Sequence, residues 1–136
     1  MISLELAQQL DLAGVRWRPI GGDRFIVRSD EMMGEVFTIA EMVIEAREHP
    51  NATLLSFNGT TEWALDSVQL GEALWLPLEH QLRELLGPSF RSLTRSDGSY
   101  LVEIELPGRG QQHFAAAEPE DAYAQAVLAL VEDARS

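Results

Sequence analysis

The residues of this chain that could do chemistry are three histidines, twenty-two carboxylates and ten arginines. His49 falls in a turn, His80 in a helical stretch and His113 in a strand-like one, and none has a partner at motif spacing. His80 and Glu84 stand at i, i+4, which offers a metal two ligands. Two are too few and H-E-x-x-H is absent, so a surface ion pair is the favoured reading. Asp30, Glu31 and Glu35 cluster without the D-x-[DN]-x-[DN]-G order of a calcium loop. Glu103 and Glu105 alternate along one strand and could share acid–base work. Half-exposed antiparallel strands ordinarily carry such residues on their wet face, which is the blander reading. No G-x-S-x-G, G-x-G-x-x-G or arginine-rich phosphate cradle occurs, and Gly21–Gly22 and Gly108–Arg109–Gly110 read as turns. The expectation is no catalytic residue, no metal site and no cofactor.

Composition narrows the chemistry further. With no cysteine, disulfides, thiolate nucleophiles, iron–sulfur clusters and every Cys-containing zinc site are excluded. Every basic residue is arginine, so lysine Schiff-base chemistry is excluded as well. The net charge of −12 is uneven: residues 1–28 carry +1, residues 29–82 carry −9 and residues 83–136 carry −4. Such a surface disfavours nucleic-acid phosphate and anionic lipid. It favours solubility or a basic partner, and the partner expected is a protein or a second copy of the chain. No apolar run approaches ~20 residues, and MISLELAQQLDLAG lacks the basic and apolar regions of a signal peptide. The expected location is the cytoplasm. A length of 136 residues, 46% of them hydrophobic, suits a single globular domain over 1–136.

The elements that must position these residues are legible as periodicities. Ser3 caps a helix over 3–13 with Leu6, Leu10 and Ala13 on one face, ended by Gly14. VRWRPIGGDRFIVR reads as strand, turn and strand. A loop of odd length places Trp17 with Phe25 on the buried side, and Arg16, Arg18, Arg24 and Arg28 on the outer side with Ile26. A two-residue Gly21–Gly22 turn would instead set Arg18 across from Phe25. The four arginines then form a basic strip on an acidic protein.

VFTIA is a short strand, and MVIEAR and TLLSF flank a four-residue EHPN turn that pairs Met42 with Phe57 and Ile44 with Leu55. Residues 59–76 read as one or two helical turns that lay Trp63, Val68, Leu74 and Trp75 on the core. Pro77 opens a helix over 77–86, whose apolar face is Leu78, Leu82, Leu85 and Leu86. Gly87 and Pro88 stop it. FRSLTR, Asp97–Gly98 and SYLVEIEL form a hairpin with Tyr100, Val102, Ile104 and Leu106 on one face. PGRG turns the chain into QQHFA, and Pro119 opens a helix to about Asp133 with Tyr123, Ala126, Val127, Leu130 and Val131 in its stripe. The fold class is α+β, with antiparallel meanders and about four helices packed on the sheet.

The segments FNGTTEWALDSV (57–68), ALWLP (73–77) and QLRELLG (81–87) resemble a small uncharacterised family of high-GC actinobacteria whose members often carry a pilus-assembly label. Distant phage-like relatives share a similar W-x-P-x-x-x-QL segment. The family pattern has arginine and aspartate where this chain has Leu78 and His80, which implies a helix edge at Leu78. No G-x-x-x-x-G-K-[ST] phosphate loop accompanies the resemblance.

The function expected from the residues is that of a non-enzymatic interaction or accessory module. Its candidate surface comprises Trp63, Trp75 and the arginines Arg16, Arg18, Arg24 and Arg28, because aromatics and arginine dominate interface energetics. A small-ligand binder or enzyme would require carboxylates, arginines and His113 to converge in a pocket. An acidic mimic of nucleic acid would require the carboxylates of 30–79 to lie in a phosphate-like row.

Overall fold

The computed structural model describes residues 1–28, 34–39, 44–49, 52–57 and 67–135. The first part of the chain runs α1 (Leu4–Leu12), β1 (Arg24–Val27), β2 (Phe37–Thr38), β3 (Ile44–His49), β4 (Ala52–Phe57), β5 (Ser67–Gln69) and β6 (Ala73–Leu76). The second part runs α2 (Glu79–Leu86), β7 (Phe90–Ser96), β8 (Ser99–Leu106), β9 (Gly110–Ala116) and α3 (Pro119–Arg135). The fold is α+β; the described residues hold three α-helices where about four were expected, and their nine strands form three antiparallel three-stranded sheets. The chain divides into two compact units, Met1–Val15 with Pro77–Ser136, and Arg16–Leu76. Neither junction carries a glycine- or serine-rich linker, which is why the sequence reads as undivided.

In the unit Arg16–Leu76, β1 is the centre of the sheet β2–β1–β6. Phe25, Ile26 and Val27 are buried in succession, so both faces of the strand are covered. Ile26 therefore lies inside and not on the outer face with the arginines. β6 takes one edge of β1 along its whole length and β2 takes the other at Arg24 and Phe25, where a hairpin with residues 15–19 would have paired. These residues form no strand, and the expected hairpin with β1 is absent. A tight turn does occur at Gly21–Gly22, where the Asp23 amide donates to the Ile20 carbonyl at 3.2 Å and Gly22 takes φ +91°. Trp17 nevertheless lies on the same side as Phe25, with ring centroids 5.5 Å apart.

The second sheet of this unit is β3–β4–β5. Ile44 pairs with Phe57, Ala46 with Leu55 and His49 with Ala52, two residues out of the expected register. A shift of two preserves which residues share a face, since side chains alternate with period two. Met42, Pro50 and Asn51 lie outside the described residues. The expected helical turns of 59–76 are corrected where they are described: Ser67–Gln69 is strand, Leu70–Glu72 a 3-10 turn and Ala73–Leu76 strand. Ala-Leu-Trp-Leu is a short apolar run, which periodicity alone cannot assign to strand or helix. The proline at 77 favours extended backbone at Leu76.

In the other unit, α3 packs on β8 and β9, and α1 and α2 pack on α3. Ser3 caps α1 by accepting from the Leu6 amide at 3.2 Å, and its own amide donates to Asp121 Oδ1 at 2.8 Å. α2 begins two residues later than expected. Leu78 occupies the cap position, and its amide donates to Gln81 Oε1 at 2.9 Å. Leu82 and Leu86 are buried, Leu78 is half-buried and Leu85 is exposed. The helix thus shows a narrower apolar face than its four leucines suggest. The β7–β8 hairpin turns at Asp97–Gly98, with φ of +51° and +78°, the mirror-image turn that matches strand twist. Val102, Ile104 and Leu106 are buried beneath α3, while Leu101, Glu103 and Glu105 alternate onto the other face.

Tyr123 on α3 is fully buried, with its ring 5.7 Å from Phe90. Its hydroxyl has no hydrogen-bond partner among the described residues. Burial pushes the phenol pKa above its ordinary value, the negative charge of Glu79 adds to the rise, and Arg83 opposes it. The Arg83 guanidinium lies near enough to act on the hydroxyl without a bond of normal geometry, so Tyr123→Phe is expected to change stability by no more than about 1 kcal/mol. A phenol whose folded pKa is raised stabilises the fold fully below the unfolded value near 10. That stability is lost as pH rises through the folded pKa. Alkaline unfolding curves check both points: wild type should lose stability above about pH 10 more steeply than Tyr123→Phe.

Candidate functional site

Arg16, Arg18, Arg24 and Arg28 are all exposed. Among the described residues, Arg16, Arg18 and Arg24 make no ion pair or side-chain hydrogen bond. Ile20, 62% exposed, adds an apolar contact beside Arg18.

The same unit holds an aromatic cluster. Strand pairing sets Phe37, Phe25 and Trp75 side by side across β2, β1 and β6. Trp17 covers them, stacked on Trp75 at 6.4 Å with the ring planes 6° apart. The Trp17 indole donates to Asp23 Oδ2 at 2.8 Å, and the Ile20 amide donates to the same oxygen at 3.0 Å. Asp23 is buried, so this carboxylate is the anchor that holds residues 17–20 over the sheet. Sequence reasoning placed Asp23 only in a turn; an aspartate directly after two turn glycines was the available signal. Trp75 is half-buried, with its indole N–H buried and unpartnered among the described residues. Trp75 therefore belongs largely to the packing of this cluster. Trp63 lies outside the described residues.

The carboxylates singled out as acid–base candidates are occupied by neighbours. Ser92 Oγ donates to Glu103 Oε2 at 3.4 Å, and Arg91 Nη2 pairs with Glu105 Oε2 at 2.7 Å. His113 stands across from Glu103 in the β8–β9 register. His80 and Glu84 are both exposed on α2, but no ion pair joins them. Among the described residues no three His, Asp or Glu side chains gather as metal ligands. Asp30 and Glu31 lie outside those residues.

A groove of about 790 Å³ opens between the end of α2, the β8–β9 turn and α3. Leu85, Pro88, Leu106, Pro107 and Leu130 supply its apolar walls, and Glu84 and the Arg91–Glu105 pair its polar ones. The Arg91 guanidinium also donates to the Pro88 and Phe90 carbonyls at 2.5 and 3.1 Å, which fixes it against the wall. His113 does not line the groove. Among the described residues no helix is long and apolar enough to cross a membrane. No family model matches the chain, no curated protein matches it, and no solved structure matches it.

Proposed function

We propose that the chain is a non-enzymatic interaction module of the cytoplasm that engages an acidic protein partner through Arg16, Arg18, Arg24 and Arg28. One observation carries the reading: Arg16, Arg18 and Arg24 are exposed without a carboxylate partner among the described residues, on a chain of net charge −12. Of the other described arginines, Arg91 pairs with Glu105 and Arg109 with Asp133, whereas Arg95 lies over the Tyr100 ring and Arg135 donates to the Ala13 carbonyl. The aromatic cluster holds the surface in place, a precondition for affinity without a large ordering cost. A place for such a module in pilus assembly is what the resemblance over residues 57–87 implies. The test is capture from the source cell by wild type and by the triple variant Arg16→Glu, Arg18→Glu, Arg24→Glu. Wild type should hold a partner that the variant loses, with binding that weakens as salt rises. A partner held equally by both would overturn the reading, and a light-scattering mass separates a second copy from a foreign partner.

A second reading, a small-ligand binder, is favoured by the groove, whose volume lies in the range of small-molecule sites. It brings Glu84, Arg91 and Glu105 together in an apolar setting. Nuclear magnetic resonance with a panel of small apolar fragments should shift the signals of Leu85, Pro107 and Leu130 as a group. Shifts scattered over both units would count against it. The nucleic-acid-mimic reading rests on carboxylates of 30–79 whose side chains lie largely outside the described residues, and nothing here supports it.

A further inference from the structure

We infer that residues 16–18 accept an extended acidic peptide as an added β-strand, one that carries carboxylates at alternate positions. The inference rests on the reading of the arginine surface given above and specifies how its partner is held. Along this segment Trp17 and Pro19 are half-buried, whereas Arg16, Arg18 and Ile20 are exposed. That alternation is the period of an extended chain. Arg18 precedes a proline, which disfavours helical backbone there. The backbone amides and carbonyls of Arg16 and Arg18 make no hydrogen bond among the described residues. The Ile20 amide, by contrast, is already taken by Asp23.

The two edges of the segment are not equivalent. In an extended chain the N–H and C=O of one residue point to the same edge, and those of the next residue to the other. Arg16 and Arg18 therefore present two donors and two acceptors along one edge. The opposite edge has Trp17 and Pro19, and proline has no donor. An added antiparallel strand on the first edge can set residues j and j+2 opposite Arg18 and Arg16. Each pair exchanges both of its N–H···O bonds, and directly opposed side chains share a face. The residues at j and j+2 thus lie beside the two guanidinium groups, and complementarity requires a carboxylate at each. Residue j+1 points to the face on which Trp17 and Pro19 lie and suits an apolar side chain. The recognised pattern is acidic, apolar, acidic. Main-chain bonds supply the affinity in this mode, and the alternate side chains supply the choice of sequence.

The experiment uses the full chain and blocked synthetic peptides of sequence SEVEVS, SEEVVS and SKVKVS. Calorimetry is paired with amide hydrogen exchange read at Arg16 and Arg18. SEVEVS should bind about tenfold more tightly than SEEVVS, and SKVKVS should not bind measurably. Arg16→Gln with Arg18→Gln should cost about tenfold, and N-methylation of both glutamates, which removes their donors, should cost at least as much. Bound SEVEVS should slow exchange at the two arginine amides. Binding that survives N-methylation and leaves those amides unprotected would overturn strand addition while the arginine surface stands. Failure of every acidic peptide, with a cellular partner still held through the arginines, would do the same. Loss of both results would remove the surface reading as well.

Discussion

Replacing Phe25 by alanine is expected to lower the unfolding free energy by about 3–5 kcal/mol, a large share of the ~5–15 kcal/mol a domain possesses. Phe25 is fully buried at the middle of the central strand β1. Its ring lies 5.5 Å from Trp17 and 5.5 Å from Phe37, and strand pairing sets Trp75 beside it. Those neighbours cannot close over the space a truncation leaves. Phe37 and Trp75 are fixed by their own ladder pairing, and Trp17 is fixed by its bond to Asp23. A cavity whose walls do not relax is the expensive kind. Trp75→Ala should cost less, about 3 kcal/mol, because Trp75 is half-buried and part of its area already faces water. Trp75→Phe is the informative companion. It keeps an aromatic stack under Trp17 and deletes a buried N–H that has no partner among the described residues, so its cost should stay under about 1 kcal/mol. Urea denaturation of the three variants gives these differences directly. A loss below about 1 kcal/mol for Phe25→Ala would mean that the cluster repacks around the gap.

What the sequence made legible follows from how local each determinant is. The Asp97–Gly98 hairpin and the cap at Ser3 are written in residues adjacent or one turn apart, and they form as expected. α3 buries Tyr123, Ala126 and Val127 of its expected stripe but leaves Leu130 and Val131 half-buried and buries Ala122 and Ala124 instead. The β3–β4 hairpin is equally local, but its register depends on where the turn closes; the ladder runs on to His49 and Ala52 instead of stopping around EHPN, which shifts the pairing by two and keeps the same faces. The stretch 67–76 reads as helix because its tryptophan and leucines cluster; its strand state depends on β1 and β4, both far away in sequence. The exposure of Arg16 and Arg18 was legible because alternate residues of 16–20 face solvent even though no strand pairing forms there. The groove was not, since its walls come from α2, the β8–β9 turn and α3, and no spacing in the sequence brings those together.

Asp23 is the residue on which both the cluster and the arginine surface turn, and Asp23→Ala is expected to cost about 3 kcal/mol. The side chain is 2% exposed and accepts from two donors through one oxygen, the Trp17 indole at 2.8 Å and the Ile20 amide at 3.0 Å. Its backbone adds a second tie, because the Ile39 amide donates to the Asp23 carbonyl at 2.8 Å. Alanine preserves that backbone bond but strips the acceptor from both donors. Bonds to a charged acceptor are worth about 1.5–3 kcal/mol each, and the orphaned groups lose them without gaining water in full. Asp23→Asn keeps an acceptor oxygen at nearly the same place and removes only the charge, so about 1 kcal/mol is expected. Trp17→Phe deletes one donor and leaves the Ile20 bond intact, which places it between the two substitutions. Chemical denaturation orders the three, and tryptophan fluorescence adds a local readout, since release of Trp17 from Phe25 and Trp75 should shift its emission to the red. The functional consequence is separable from the stability loss. With Asp23→Ala still folded at low denaturant, residues 16–20 lose their anchor, and partner capture should fall even though all four arginines remain. Undiminished capture by a folded Asp23→Ala protein would show that the arginines act without the anchor this carboxylate provides.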